Sequence, residues 1–134
     1  MQRVSRAAVR ADGEQVAAIG PGLLVLIGIR DGDGEAEADR LAAKLRALRI
    51  FDDSDGRMNE PLGDREVLCV SQFTLYAETD KGNRPSYALA AAPELAEPLY
   101  ERVCRQLGAA SGVFGARMEV ELTNDGPVTL LLES

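Results

Sequence analysis

The chain contains no histidine among its 134 residues. That absence removes the Ser-His-Asp and Cys-His nucleophile pairs and every histidine-ligated metal. If the protein is an enzyme, protons must move through carboxylates, lysine, water or the substrate itself. Cysteine is scarce too. Cys69 lies in a strand-like run and Cys104 in a helix-like one, and neither has the paired Cys or His spacing of a zinc site. Two ordinary buried thiols in a reduced, intracellular protein are therefore expected. The longest apolar run, LLVLIGI (23–29), is too short to cross a bilayer, and the opening MQRVSRAAVRADG lacks the apolar stretch of a leader. A cytoplasmic protein with no membrane partner is predicted. Positive charge is not in excess: the net charge of −7 argues against a general nucleic-acid coat protein. It leaves room for a local basic site, because binding responds to nearby charge more than to the total.

What is present has the composition of an ordinary globular chain, 46% hydrophobic and 28% charged, and the length predicts one domain over 1–134. No repeat, linker or low-complexity tract interrupts it. Residues 2–10 alternate loosely towards Asp12-Gly13, a hairpin signal. QVAAIG forms a second short strand that ends at Gly20-Pro21-Gly22. LLVLIGI reads as a strand covered on both faces. The period then changes. Ala38, Leu41, Ala42, Leu45 and Leu48 fall at helical spacing, with Asp33 as the expected N-cap, Glu35 and Glu37 in the first turn, and Arg46 and Arg49 towards the end. The polar stretch DDSDGRMNEPLGD gathers acids around a glycine, but it lacks the ligand spacing and terminal glutamate of a calcium loop and reads as solvated. A strand is predicted over 66–76 and a loop over 77–92. A second helix begins at Pro93, with Leu95, Leu99, Val103 and Leu107 on one face and a kink or a split first turn at Pro98. GVFGARMEVELTNDGPVTLLLES closes the chain as two strand-like runs around Asn124–Pro127. The predicted fold class is α+β: a mostly antiparallel or mixed sheet, curled towards a barrel, with two main helices.

Two segments put polar chemistry where packing alone would not. VLCVSQFT (67–74) starts as a buried strand and ends in a hydroxyl, an amide and another hydroxyl. Gln72 supplies an NH2, and main-chain N–H groups at a strand end are free to point outward. Together such donors can hold a developing oxyanion, each worth about 3–4 kcal/mol of barrier. A strand end whose polar groups simply meet water fits the same residues. NDGPVT (124–129) is in the first place a turn, which a hairpin connection satisfies. If Gly126-Pro127 instead lines a pocket, it is a rigid wall able to reject one stereoisomer by clash; sequence leaves the isomer of that bond open. Lys81, Gly82 and Arg84 make a compact basic turn, either a solvated loop or a phosphate contact and hence a candidate RNA contact. Phe114 and Met118, four apart beside a glycine-rich bend, read by pattern as core residues.

SQFTLYAETDKGNRPSY, APELAEPLYERV and VELTNDGPVTLLLES, in this order, resemble the D-aminoacyl-tRNA deacylase (D-tyrosyl-tRNA deacylase) family. So do QRVSRAAV with DGE, IGPGLLVLIGI, and ADRLAAKLRALRIFDDSDGRMN, so the resemblance covers essentially the whole chain. SQFT and NDGPVT are specific together and weak apart. The chain departs from its relatives by starting a few residues later and by a trimmed EPLGDREVLCV. The resemblance implies a homodimeric enzyme, needing no cofactor or metal, that hydrolyses the ester joining a D-amino acid to the terminal ribose of tRNA. It assigns Ser71, Gln72, Phe73 and Thr74 to the scissile ester. It makes Gly126 and Pro127 a cis pair that crosses to the partner's pocket and rejects L-amino acids. Arg3 holds that pair in orientation, and Phe114 and Met118 become pocket-lining positions.

The missing histidine fits such a substrate, because an aminoacyl ester on ribose carries a neighbouring 2′-OH that can assist attack or position water. Held against Gln72 and main-chain donors, the ester gains orientation and oxyanion stabilisation with no side-chain base. The expected role of Thr74 is positioning, not covalent attack. A wall that reads only the chiral centre passes many D-amino acids, and glycine as well. Two other readings are open. A non-catalytic dimeric module that binds RNA or a small molecule would hold the substrate without ester loss. A general esterase or amidase would cleave D and L esters alike, and no activated nucleophile is visible for it.

Overall fold

A computed structural model describes all residues from Met1 to Ser134. In chain order the strands and helices are β1 (Gln2–Ala11), β2 (Glu14–Ile19), β3 (Gly22–Ile27), α1 (Glu35–Ala47), β4 (Phe51–Asp52), β5 (Met58–Glu60), β6 (Glu66–Ser71), α2 (Pro93–Leu107), β7 (Ala110–Ser111) and β8 (Met118–Thr129), with one 3-10 turn at Phe73–Tyr76. The strand β1 is the axis of the sheet. Along one edge it pairs antiparallel with β8, and along the other it pairs with β3 through residues 2–4 and with β2 through residues 7–11. Beyond β3 the sheet becomes parallel, through β6 to β7, and β2 curls back against β6 and β7. The α+β, mixed and barrel-like architecture expected from the pattern is the one observed.

LLVLIGI is buried on both faces for a simple geometric reason: successive side chains point to opposite sides of a strand. Leu23, Val25 and Ile27 meet the helices, packing with Ala38, Ala42, Leu45, Leu99 and Val103. Leu24 points into the curl with Val4, Val9, Ile19, Leu68 and Val70. Full burial of a side chain such as Leu23, Leu24 or Leu68, each at most 1% exposed, stabilises by about 1.5–3 kcal/mol. Two such layers fix β3 and β6 side by side, and the end of β6 is where the SQFT segment begins.

Several expectations are corrected by the structure. The N-cap of α1 is Gly34, whose N–H is accepted by Glu37 Oε2 at 2.8 Å; Asp33 is engaged upstream, where its carboxylate accepts the Arg30 N–H at 2.8 Å. The first turn of α2 is not split off, since the helix continues through Pro98, with Ala96, Leu99 and Tyr100 buried around the proline. Ala96, not Leu95, takes the inward position one turn before Leu99, which leaves Leu95 exposed. The strand expected over 66–76 stops at Ser71 and becomes the 3-10 turn. The C-terminal segment is one strand, β8, with NDGPVT inside it, so the hairpin connection is absent. Residues 130–134 form no strand, although Leu130 exchanges hydrogen bonds with Met1 at 2.8 and 2.9 Å.

Cys69 and Cys104 are free and buried. Hydrogen bonding to Cys104, in which Cys69 keeps the proton, and then burial push the Cys69 thiol above its ordinary range, so it is no ready nucleophile. No helix is long and apolar enough to cross a membrane.

Candidate active site

The last rung between β3 and β6 is the bond from the Gln72 N–H to the Ile27 carbonyl at 2.7 Å. Beyond it the chain winds into the 3-10 turn, with Leu75 N–H donating to Gln72 O at 3.2 Å and Ala77 N–H to Thr74 O at 3.1 Å. The first N–H groups of a helical turn have no acceptor within it, and those of Phe73 and Thr74 find none elsewhere in the chain. The Gln72 side-chain amide donates to Thr74 Oγ1, which orients the amide and occupies the hydroxyl. Gly28 permits this arrangement. A Cβ there would stand 3.1 Å from the Tyr76 ring and 3.2 Å from Gln72 O, so close that the turn would have to shift by a few tenths of an ångström.

This turn forms one wall of a cleft of about 570 Å³, within the size range of small-ligand sites. Val70 and Ser71 line it from the end of β6, and Gln72 and Phe73 from the start of the 3-10 turn. Tyr87, Ala90, Ala91, Pro93 and Ala96 line it from the loop and the start of α2. Phe114, Gly115, Ala116, Met118 and Val120 close the far side. The Phe114 ring rests 5.8 Å from that of Tyr100, whose hydroxyl donates to Cys69 O at 2.9 Å in the core, so the cleft's far wall is tied to β6. At the lip, the Phe73 and Tyr87 rings meet edge to face at 5.0 Å and remain 54% and 40% exposed. No carboxylate, lysine or arginine lines the cleft. Its chemistry is confined to amides, main-chain dipoles and hydroxyls.

Gly126 and Pro127 lie elsewhere. Asn124 stands opposite Val4, and Thr129 opposite Gln2, so residues 125–128 bulge out of the ladder facing Arg3 alone. The base of the bulge is closed by side chains. Asn124 Oδ1 accepts the Val128 N–H at 3.0 Å, and Asn124 Nδ2 donates to Thr129 Oγ1 at 3.0 Å. Gln2 Nε2 reaches the same oxygen at 3.2 Å. The Gly126–Pro127 bond is cis and Gly126 has φ +128°; both residues are exposed. Arg3, 7% exposed, donates from Nε to Asp125 O at 3.0 Å and from Nη1 to Ile50 O at 2.7 Å.

Of the residues singled out in the sequence, Ser71, Gln72, Phe73, Phe114 and Met118 come together in one cleft. Thr74 joins them through its bond to Gln72. Arg3, Gly126 and Pro127 form a second cluster outside that cleft. Lys81 and Arg84 sit on an exposed turn between Glu78 and Ser86, without an ion pair. Tyr87 was missed, although an aromatic in so polar a loop is itself a signal; so were the small residues Ala90, Ala96, Gly115 and Ala116, which only the folded wall reveals.

Residues 1–133 match the family described as D-Tyr-tRNA(Tyr) deacylase. A D-aminoacyl-tRNA deacylase of Opitutus terrae is 55% identical over an alignment that takes in all of this chain and 95% of that protein. One from Dehalococcoides mccartyi is 54% identical, covering all of this chain and 92% of its own. Among solved structures, a c-Myc DNA unwinding element binding protein superposes with a TM-score of 0.92 at 43% identity, covering 99% of this chain and 95% of that one. A probable eukaryotic D-amino acid tRNA deacylase shares the fold, with a TM-score of 0.78 at 18% identity over 94% of this chain and 92% of that one.

Proposed function

The chain belongs to the D-Tyr-tRNA(Tyr) deacylase family, hydrolases of the ester between a D-amino acid and tRNA, and we propose that it performs this hydrolysis with fixed dipoles and the substrate's own hydroxyl. The observation that carries this reading is the pair of unpartnered N–H groups at Phe73 and Thr74 beside the Gln72 amide, at the turn that walls a cleft with no acid or base side chain. The ester carbonyl sits against these donors. Water adds to the carbonyl carbon, the donors hold the tetrahedral oxyanion, and the acyl–oxygen bond breaks. The neighbouring 2′-OH gives its proton to the departing 3′-oxygen and regains one from the added water. A free D-amino acid and a tRNA with both ribose hydroxyls restored leave the site. Orientation supplies the part of the rate that a general base supplies elsewhere.

Thr74 is bound to Gln72 and has no base beside it, so it orients and does not attack. Thr74→Ala and Thr74→Ser are expected to keep deacylation within about tenfold of the wild type, the loss of one orienting contact. A trapped acyl-enzyme in the wild type, with complete loss in folded Thr74→Ala, would assign it the nucleophile's role.

The active unit in this reading is a homodimer. Gly126 and Pro127 are exposed and absent from their own chain's cleft, which supports a wall lent by a second copy, held in shape by Arg3. A groove of about 300 Å³ that includes Met1, Leu75, Leu130 and Leu131 offers apolar surface for the pairing. The wall rejects L-amino acids by clash and ignores the side chain. Terminal bases of the tRNA stack on the exposed Phe73–Tyr87 pair, and Lys81 and Arg84 on the same loop meet its phosphates. Each subunit contributes a single domain over 1–134, and the pair works in the cytoplasm as a chiral proofreader.

Single-turnover hydrolysis of matched D-, L- and glycyl-tRNA tests this directly. The D and glycyl esters are expected to be consumed at comparable rates. The L ester should lag by at least about a hundredfold, equivalent to about 2.7 kcal/mol of clash. Equal consumption of D and L marks a general esterase, and tight binding without ester loss marks a binding module.

A further inference from the structure

We infer that Asp52 is a positioning residue for the chiral wall, fixing Arg3 from the side opposite Gly126. This rests on the reading of Gly126-Pro127 as that wall. The strands β4 and β5 form a two-stranded sheet that pairs with no strand of the main sheet, and no residue of it lines the cleft. The hairpin is nevertheless rigidly built. Ile50 and Phe51 are buried at its base, the Arg65 guanidinium lies 4.3 Å from the Phe51 ring centre, and Arg49 Nε donates to Asn59 O at 2.8 Å. Its turn is closed by Asp53, whose Oδ1 accepts the N–H groups of Asp55 and Arg57 at 2.9 and 3.0 Å.

So stiff a hairpin presents two groups to Arg3: the Ile50 carbonyl, 2.7 Å from Nη1, and the Asp52 carboxylate, 3.6 Å from the same nitrogen. On its far side the guanidinium holds Asp125 O, and Nη2 lies 3.0 Å from where a side chain on Gly126 would begin. Arg3 is thus a strut between hairpin and bulge. Its buried charge is bracketed by two carboxylates, Asp52 at 3.6 Å and Asp125 at 3.7 Å. Removing one counter-ion leaves a nearly buried cation undercompensated on that side, and the pull of the one that remains is then unopposed. Here that pull is towards Asp125 and so into the bulge. Steric rejection depends steeply on distance, whereas ester cleavage is carried by Gln72 and the 3-10 turn in a different cluster. Displacing the strut therefore alters handedness selection more than turnover.

The test is Asp52→Asn in the full chain, measuring kcat/KM for matched D- and L-aminoacyl-tRNA together with thermal stability. We expect the D-to-L ratio to fall about tenfold, mostly through faster L hydrolysis, with D turnover within about threefold of wild type and Asp52→Glu restoring the ratio. Asp52 is 59% exposed on its side chain, so added salt should lower the wild-type ratio and leave that of Asp52→Asn flat. A wild-type ratio in Asp52→Asn overturns the assignment, as does a parallel loss of both rates with stability, which is a structural role only. Arg3→Lys, which cannot reach two carbonyls as a planar fork does, separates the two levels. Selectivity lost in Arg3→Lys but kept in Asp52→Asn removes only Asp52. Selectivity kept in both removes the wall itself.

Discussion

Replacing Gln72 with alanine is expected to lower kcat on a D-aminoacyl-tRNA by about a hundredfold while KM stays within about threefold. The side-chain amide is oriented by Thr74 Oγ1, and the residue is held at the sheet's edge by the 2.7 Å bond from its main-chain N–H to Ile27 O. In the proposed mechanism the amide meets the substrate oxygen most strongly when that oxygen becomes an anion, so its loss is expected to fall on the transition state and little on binding. Two main-chain donors survive the substitution, which is why activity is reduced and not abolished. Gln72→Glu sharpens the measurement: the shape is kept, the donors become acceptors, and the loss should be at least as large. Stopped-flow deacylation of D-tyrosyl-tRNA reads both. A change of less than about fivefold in either variant leaves the backbone as the sole oxyanion support.

Gly126→Ala is expected to act on a different quantity, the ratio of D to L hydrolysis, reducing it by about a hundredfold. The backbone at this position has φ +128°, a conformation that costs a side-chain-bearing residue about 1–3 kcal/mol. The added methyl would also lie 2.9 Å from Val128 Cγ2, 3.0 Å from Arg3 Nη2 and 3.1 Å from Val128 N. The side chains have limited room to give, and the main-chain nitrogen is held by Asn124 at 3.0 Å, so the bulge itself must shift. A filter that works by contact is then displaced, and each 1.4 kcal/mol of lost clash admits about tenfold more of the L ester. Circular dichroism and a melting curve confirm that the variant is folded. The two substitutions also test each other. Gln72→Ala should slow D and L alike and preserve their ratio, whereas Gly126→Ala should change the ratio. If both variants alter both quantities equally, the dipoles and the wall are not separable parts.

The elements that could be read in the sequence are those whose periodicity is set by burial alone. LLVLIGI divides its alternate residues between two apolar layers, and the spacing of Ala38, Ala42 and Leu45 buries one helix face. The end of β6 was not readable in this way, since FTLY continues an alternation that a strand would also show; the turn that replaces it closes over Gly28, more than forty positions away in the chain. NDGPVT carries turn residues, yet it lies within a strand because Asn124, Thr129 and Gln2 close the bulge with side chains. Asp52 looked like one acid of a solvated cluster. Only the fold separates it from Asp53, which caps its own turn, and sets it beside Arg3.

The cleft's lack of carboxylate, ammonium or guanidinium has a kinetic corollary. A surface that only orients and polarises multiplies whatever reactivity its cargo already possesses. Fragile esters should therefore be cleared first and sturdy ones last, in the order in which they decay unaided in water. Such a scavenger needs no separate tuning for each amino acid, because the adaptor's own bond sets the pace.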